Sequence, residues 1–200
     1  MPVLGITGGI ATGKSAFLAQ LRERLPSAFY FDADIAARQL TDNDADAQAA
    51  IREAFGADIY SASGDLNRAR LRTIVFTDPE KKRALEQILH PRIRRQWSLE
   101  AEGRRTANEL FFADIPLLYE TGGEALCDRV VVVACSGAVQ LRRLTMRSSL
   151  SKTAAAGMIG SQMPLNEKIA RADHVVWNNG ALDTLAAQTE ILARTWCDSQ

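Results

Sequence analysis

The chain has 200 residues, of which 46% are hydrophobic and 24% charged. This length and composition predict one compact globular domain with a substantial core and exclude a mainly disordered chain. The 24 basic residues are balanced by 24 acidic ones. No overall positive field therefore draws the protein to nucleic acid or anionic lipid, and we expect neither as a partner.

The three cysteines, Cys127, Cys135 and Cys197, are odd in number and widely spaced. This pattern argues against a disulfide framework or a paired-cysteine metal motif and indicates reduced thiols. No basic leader precedes the first apolar run, and no apolar stretch approaches the roughly twenty residues of a membrane span. We therefore expect a cytoplasmic protein, either a monomer or a weak homo-oligomer.

The chain begins with a predicted strand, a glycine-rich loop and a helix. Residues 3–7 are a short apolar run, which Gly8 and Gly9 end. From Lys14 onward apolar residues recur at helical spacing until Pro26 stops the pattern. This order of strand, loop and helix is the setting in which a phosphate-binding loop occurs.

A second buried strand is predicted at residues 28–31, and two carboxylates follow it. Asp32 and Asp34 stand before a helical stretch that runs through Leu40. In a doubly wound sheet, ligands bind beyond the carboxyl ends of the strands, so either aspartate could orient and deprotonate an attacking hydroxyl. The alternative is that one of them caps the helix beginning near Ile35, since Asp is a favoured N-cap residue.

The middle of the chain is predicted to be almost entirely helical. Residues 41–107 include a long helical pattern at 79–105 and a turn-rich interruption at 61–65. Such a block inside an α/β chain indicates an inserted subdomain, at about residues 42–107. Pro91 lies within the long pattern and predicts either a kink or the start of a new helix.

Three further strands are predicted at residues 110–115, 129–135 and 174–177. Continuous apolar runs of this kind are typical of parallel strands covered on both faces. Residues 148–171 are polar, contain two glycines and a proline, and predict a small helical lid. The predicted fold class is α/β: a doubly wound sheet of the P-loop NTPase type, with about five parallel strands flanked by helices.

The loop after the first strand has Walker A spacing, Gly8-x-x-x-x-Gly13-Lys14-Ser15. Its backbone N–H groups and the amino end of the next helix are expected to hold ATP phosphates, with Lys14 at the β- and γ-phosphates. The Ser15 hydroxyl is expected to bind Mg²⁺. A chance glycine turn is the alternative, and the strand-loop-helix context argues against it. The predicted ATP-binding residues here are Gly8, Gly9, Ile10, Ala11, Thr12, Gly13, Lys14, Ser15 and Ala16.

One more carboxylate and the two histidines are candidates for functional roles. Asp114 closes an apolar strand where a Walker B carboxylate would stand, and it is predicted to hold Mg²⁺ through a water. For His90, a substrate contact or a structural role is favoured over proton transfer, because phosphoryl transfer depends mainly on positioning and electrostatics. His174 lies in a predicted strand, which favours a structural role.

Segments spread over nearly the whole chain resemble the dephospho-coenzyme A kinase family. They are residues 5–15, residues 32–38, Asn67-Arg68-x-x-Leu71, Leu85-Glu86-x-Ile88-Leu89-His90-Pro91-x-Ile93, Pro116-Leu117-Leu118-Tyr119-Glu120, residues 128–133, Gln140-Leu141-Arg142-Arg143-Leu144-x-x-Arg147, Gln162-Met163, Lys168, Ala172-Asp173 and Asn178. The resemblance implies ATP-dependent phosphorylation of the ribose 3′-hydroxyl of dephospho-CoA. The products would be CoA and ADP, in the last step of CoA synthesis.

The resemblance also implies roles for particular residues. Asp34 is the first choice for the base and Asp32 the second. Arg143 and Arg147 are implied as lid-side phosphate clamps, and a solvated helix face is the alternative for each. Lys14 and Arg143 complete the implied catalytic set, and Asn178 joins the ATP-binding set. The implied substrate-binding residues are Asp34, Arg68, His90, Arg94, Leu117 and Glu120.

Four positions depart from the residues usual in this family. Ala11 stands in the loop where glycine is usual, and it fits only if its φ stays negative. Ala16 stands where threonine is usual. Near Ile159 the family tends to place an arginine, and Trp177 occupies a position that is often acidic. These departures affect the expected contributions of the phosphate-binding loop, the lid and the adenine pocket to ligand binding.

Three other functions compete with this interpretation. A P-loop kinase for another small hydroxyl acceptor, such as a nucleoside or a shikimate-like molecule, would use the same loop and the same aspartates; only the helical insert with Leu89-His90-Pro91 argues against it. A non-catalytic nucleotide-dependent regulator is disfavoured because the chain has no Asn-Lys-x-Asp guanine-reading motif. A nucleic-acid-binding ATPase is disfavoured by the balanced charge.

Overall fold

The computed structural model describes residues 1–148 and 150–197. The chain forms two compact units. One comprises Met1–Phe31 and Ala101–Gln200, and the other is Asp32–Glu100. Among the residues described, no helix combines the length and apolar character that crossing a bilayer requires.

A five-stranded parallel sheet organises the first unit and confirms the predicted fold class. The strand order is β2-β3-β1-β4-β5, with β1 at the centre. Val3 of β1 lies opposite Phe111 of β3, and Leu4 lies opposite Arg129 of β4. The strands are β1 (Val3–Gly8), β2 (Phe29–Asp32), β3 (Phe111–Asp114), β4 (Arg129–Ala134) and β5 (His174–Trp177).

Helices occupy most of the remaining chain. In chain order they are α1 (Lys14–Arg24), α2 (Ala33–Asn43), α3 (Ala45–Phe55), α4 (Arg68–Thr77), α5 (Pro79–Thr106), α6 (Gly137–Ser148), α7 (Lys152–Gly160), α8 (Leu165–Arg171) and α9 (Leu182–Cys197). Two short 3-10 turns lie at Ala57–Ile59 and Gly123–Leu126.

Both faces of the sheet are covered, as the continuous apolar strands predict. On one face α1 and α9 pack against alternate strand residues, and the ring of Phe112 lies between those of Tyr30 and Trp196, with centroid distances of 5.1 and 5.4 Å. On the other face, a methyl group added to Gly5 would lie 2.6 Å from Cys127 Sγ. The chain following β3 therefore packs directly on the sheet there.

The second unit has a core of its own. Ile51 and Phe55 of α3 pack with Ile59, Tyr60 and Leu71, and all five are buried. The predicted turn at residues 61–65 is closed by an antiparallel bridge between Tyr60 and Leu66.

Helix α5 continues through Pro91. The alternative that this proline starts a new helix is therefore wrong. The ring sits inside the helix, where it costs one i→i−4 hydrogen bond while the remaining turns continue.

Candidate active site

The phosphate-binding loop, residues 8–15, connects the central strand to a helix amino terminus. Strand β1 ends at Gly8, and α1 begins at Lys14 with Gly13 as its N-cap. Gly13 has a φ of 96° and no side chain to cap the helix. The Ala16 N–H donates to the Gly13 carbonyl at 3.0 Å. The N–H groups before it, at the start of α1, have no acceptor within the helix, so they and the positive end of the helix dipole can bind an anion.

Two glycines of the loop are required by their close surroundings. A β-carbon on Gly8 would lie 2.5 Å from the carbonyl oxygen of Val133. One on Gly13 would lie 2.0 Å from Asn178 Nδ2. Backbone and side-chain atoms thus approach the loop to a distance that only glycine permits.

Ala11 adopts the left-handed backbone conformation, with a φ of 60°. The statement that alanine fits here only with a negative φ is therefore wrong, since Ala11 occupies the position with a positive φ. The cause is the tight turn around it, in which the Thr12 N–H and hydroxyl both donate to the Gly9 carbonyl, at 3.3 and 2.9 Å. An L-residue in this conformation costs roughly 1–2 kcal/mol, so the turn holds Ala11 against its own preference.

Two glutamines hold the backbone of Ile10 from opposite sides. Gln140 Nε2 donates to the Ile10 carbonyl at 2.7 Å, and Gln162 Oε1 accepts the Ile10 N–H at 2.9 Å. Gln140 is buried in α6, and Gln162 lies between α7 and α8. Both backbone groups of this loop residue are thereby paired within the protein.

The carbonyl of Thr12 is held by two more side chains. Asn178 Nδ2 donates to it at 2.9 Å from the end of β5, and Arg143 Nη1 donates at 3.2 Å from α6. Asn178 is buried, and Thr12 has no exposed surface. Side chains from distant segments therefore hold the loop backbone on both sides of Ala11.

Lys14 and Asp114 form an ion pair beside the loop. Asp114 ends β3 and lies opposite Ile6 of β1, so its carboxylate stands at the carboxyl edge of the sheet. The Lys14 side chain is 15% exposed and that of Asp114 11%. Asp114 therefore occupies the position predicted for a Walker B carboxylate, next to the Walker A lysine.

A family model described as dephospho-CoA kinase matches residues 2–184. The chain belongs to the dephospho-CoA kinase family. A protein of that name from Anaeromyxobacter dehalogenans is 45% identical over 195 residues, covering 96% of this chain and 90% of that protein. Another from Bacillus cereus is 38% identical over 195 residues, covering 97% and 96%.

A solved dephospho-CoA kinase, from Campylobacter jejuni, has the same fold. Its TM-score is 0.69 at 26% sequence identity, with 97% of this chain and 96% of that chain covered. These relatives confirm the predicted resemblance and the prediction of a kinase. They disfavour a non-catalytic regulator.

Asp32 and Asp34, the two candidate bases of this family member, have different local roles. Asp32 is the N-cap of α2, and its Oδ1 accepts the N–H groups of Asp34 at 2.9 Å and Ile35 at 3.0 Å. The capping alternative is thus confirmed for Asp32. Asp34 lies exposed in the first turn of the helix, and its carboxylate takes no part in this cap.

The residues implied as contacts of the dephospho-CoA substrate are divided between the two units. Arg68, His90 and Arg94 belong to the unit Asp32–Glu100. There Arg68 Nη2 pairs with both carboxylate oxygens of Asp42, at 2.5 and 2.7 Å. Leu117 and Glu120 lie in the other unit, in the turn after β3.

The remaining predicted positions lie as follows. Arg147 is exposed in the last turn of α6. Ala16 packs against the core beneath the loop. Trp177 is 45% exposed at the end of β5, where its N–H and carbonyl pair with the amide of Gln188 at 2.9 and 3.0 Å. His174 packs its ring edge-on against Trp196, which agrees with a structural role.

Three residues shape the loop although sequence reasoning gave them no function. Gln140, Gln162 and Lys168 belong to segments that match the dephospho-CoA kinase family, and that match was the available signal. Lys168 is fully buried in α8, where its ammonium faces the carbonyl oxygen of Gly8. Each acts on the loop from more than a hundred residues away along the chain.

Proposed function

We propose that this protein transfers the γ-phosphoryl group of ATP to the ribose 3′-hydroxyl of dephospho-CoA, giving CoA and ADP. The observation that carries this proposal is the family match over residues 2–184, with an intact Walker A loop inside it. ATP and dephospho-CoA are the ligands we propose, and CoA synthesis is the pathway.

The ATP phosphates would bind to residues 8–15. The Lys14 ammonium pairs with Asp114; with ATP bound it would turn to the β- and γ-phosphates. Arg143, already hydrogen-bonded to the loop at Thr12, and Arg147 would add positive charge on the lid side. Asn178 would keep the loop in place at the ATP site.

Mg²⁺ is proposed as the metal that accompanies ATP. The Ser15 hydroxyl and the Asp114 carboxylate supply hard oxygen donors, which are the ligands that Mg²⁺ prefers. Ser15 would bind the ion directly and Asp114 through a water. The bound ion would neutralise charge on the phosphate oxygens. Residues Lys14 and Asp114 would have to separate for both ligands to bind.

Asp34 is proposed as the base that orients the acceptor hydroxyl. The 3′-oxygen would form a bond to the γ-phosphorus, the bond to the leaving oxygen of ADP would break, and the hydroxyl proton would pass to the Asp34 carboxylate. The capping role of Asp32 supports the choice of Asp34 as the base, because it leaves the Asp34 carboxylate available. Asp32 would act indirectly, by fixing the turn that carries Asp34.

The acceptor would be bound mainly by the helical insert, at about residues 42–107, and covered by a lid at about residues 148–171. Arg68, His90, Arg94 and Leu117 are the proposed contacts with dephospho-CoA. Arginine side chains suit its phosphate groups because the guanidinium offers two parallel hydrogen bonds. Exchange of Asp42 for a substrate phosphate would free Arg68 for this purpose.

The direct test is incubation of the purified protein with ATP, Mg²⁺ and dephospho-CoA, with CoA and ADP measured by chromatography. We expect both products in equal amounts. Adenosine and shikimate in place of dephospho-CoA are the matched acceptor controls, and neither should react. A folded sample that forms no CoA, or that phosphorylates a control acceptor equally well, would overturn the substrate assignment.

A further inference from the structure

Lys168 carries a positive charge on a side chain without any exposed surface. Its Nζ lies 2.8 Å from Glu120 Oε1, 3.1 Å from the Pro116 carbonyl oxygen and 3.5 Å from that of Gly8. An ammonium group has three donors, and these three acceptors match them. Because a buried charge is costly unless it is paired and hydrogen-bonded, this arrangement is a specific site.

Glu120 connects this ammonium to the loop between α7 and α8. The same Oε1 atom also accepts the N–H of Met163 at 3.0 Å. Met163 directly follows Gln162, whose Oε1 accepts the Ile10 N–H at 2.9 Å. The carboxylate therefore holds the backbone from which Gln162 reaches the phosphate-binding loop.

These contacts form a closed path around one end of the loop. Lys168 reaches the Gly8 carbonyl, Gln162 holds Ile10, and Glu120 joins Lys168 to the backbone beside Gln162. Gly9 lies between the two attachment points, and a β-carbon there would lie 2.7 Å from Gln140 Nε2. The path thus positions the backbone between Gly8 and Ile10. This backbone belongs to the loop that must present N–H groups to phosphate.

We propose that the Glu120–Lys168 ion pair is a positioning element of the ATP site, which holds the phosphate-binding loop in its ligand-ready conformation. This assigns Glu120 a role inside the protein in place of the contact with dephospho-CoA that the family resemblance implies. The inference rests on the proposed function insofar as ATP is the ligand. Preorganised donors lose effect when they shift by as little as an ångström, so loss of the pair weakens ATP binding.

Three variants test the proposal: Lys168→Met, Glu120→Gln and the two combined. Lys168→Met leaves the Glu120 carboxylate without its cation. The double variant removes both charges and with them the cost of a lone buried charge. Glu120→Gln keeps an oxygen for Lys168 and for the Met163 N–H, so it serves as the milder variant where Lys168→Met does not fold.

The measurements are the dissociation constant of the Mg²⁺ complex of adenylyl imidodiphosphate by calorimetry, the KM for each substrate, and the melting temperature. We expect Lys168→Met to bind the ATP analogue about tenfold more weakly or worse and Glu120→Gln to lose affinity to a smaller extent, with the KM for dephospho-CoA changed less than about twofold in both. In the double variant the melting temperature should recover while ATP affinity stays low. Recovery of both the melting temperature and the ATP affinity would show that the ion pair is purely structural, and it would overturn the proposal.

The matched control is Arg105→Met, which removes another ion pair of the same unit, that with Asp128, and which touches neither Glu120 nor the segment around Gln162. Its ATP affinity should match that of the unmodified protein. A Glu120→Gln variant with a raised KM for dephospho-CoA and normal ATP affinity would instead support the substrate contact and overturn the positioning role. Since calorimetry needs no acceptor, absence of CoA formation would count against the proposed function alone.

Discussion

The carboxylate of Asp32 accepts the backbone N–H of Asp34 at 2.9 Å. One aspartate thereby fixes the start of the helix that displays the other. Two acidic residues separated by a single alanine thus differ in what they can do, since one is engaged with the backbone and the other is exposed.

Replacing Asp34 by Asn should therefore separate catalysis from folding. We expect the turnover number of Asp34→Asn to fall about a hundredfold or more, because a positioned base contributes that much, while ATP affinity changes little. The measurement is steady-state kinetics combined with calorimetric ATP binding.

The control is Asp32→Asn, which keeps an N-cap oxygen and should retain most activity. Asp32→Ala should lower the free energy of unfolding by about 1 kcal/mol through loss of the cap. Near-normal turnover in Asp34→Asn would contradict its role as the base, and an equal loss of turnover in Asp32→Asn and Asp34→Asn would show that the two residues share it.

Replacing Ala11 by Gly should stabilise the protein. The φ of 60° is unfavourable for alanine but open to glycine. We expect the free energy of unfolding to rise by up to about 1 kcal/mol, after the larger backbone entropy of unfolded glycine is counted. Denaturant unfolding measures this change.

The control for Ala11→Gly is Ala49→Gly, the same substitution at an exposed position within α3. It should lower the free energy of unfolding by about 1 kcal/mol. If Ala11→Gly destabilised the protein by a similar amount, the left-handed conformation of Ala11 would be contradicted.

Replacing Gly13 by Ala should abolish tight ATP binding. The new methyl group would meet Asn178 Nδ2 at 2.0 Å, and the φ of 96° would be strained. Because Asn178 holds the Thr12 carbonyl, its displacement should disturb the loop and weaken ATP binding by about a hundredfold. Gly180→Ala, where the nearest atom would lie 3.5 Å away, should bind ATP normally. Unchanged affinity in Gly13→Ala would contradict the contact with Asn178.

The three free thiols should react at very different rates. Burial, reinforced by the neighbouring Asp128 carboxylate, raises the pKa of Cys127 from 9.0 to about 12, and burial also raises the pKa of Cys135. Cys197 is exposed. At pH 8 the Cys127 thiol therefore stays protonated, and since the thiolate is the nucleophile, iodoacetamide should label Cys197 first.

Mass spectrometry of the labelled peptides measures this order. A Cys197→Ser variant should lose the fast phase. Raising the pH toward 12 should accelerate labelling of Cys127, and it should also destabilise the fold, because the unfolded chain releases this proton at lower pH. Rapid modification of Cys127 at pH 8 in folded protein would contradict its burial.

Much of the fold could be predicted because the strands are local apolar runs with clear ends. The strand at residues 174–177 was predicted with the bounds observed for β5, and β1 extends one residue beyond its prediction, to Gly8. Pro91 shows the limit of local signals. A proline predicts an interruption, but packing can keep the helix continuous at the cost of one hydrogen bond.

The chemistry of the loop could also be predicted, whereas its geometry could not. Walker A spacing locates the phosphate site, but the φ of Ala11 depends on the turn that Thr12 makes with Gly9. The supports from Gln140 and Gln162 depend on which distant segments fold next to Ile10. The division of roles between Asp32 and Asp34 required hydrogen-bond geometry, since both satisfy the same sequence pattern.

The central place of β1 has a consequence for synthesis of the chain. Its partners β3 and β4 begin at Phe111 and Arg129, so this apolar strand emerges from the ribosome long before either neighbour exists. Domains fold as units during translation, and unpaired strands are prone to aggregate. The segment that will carry the ATP-binding loop therefore stays unpaired until β3 and β4 are made, and during this interval its apolar strand is open to association with other chains.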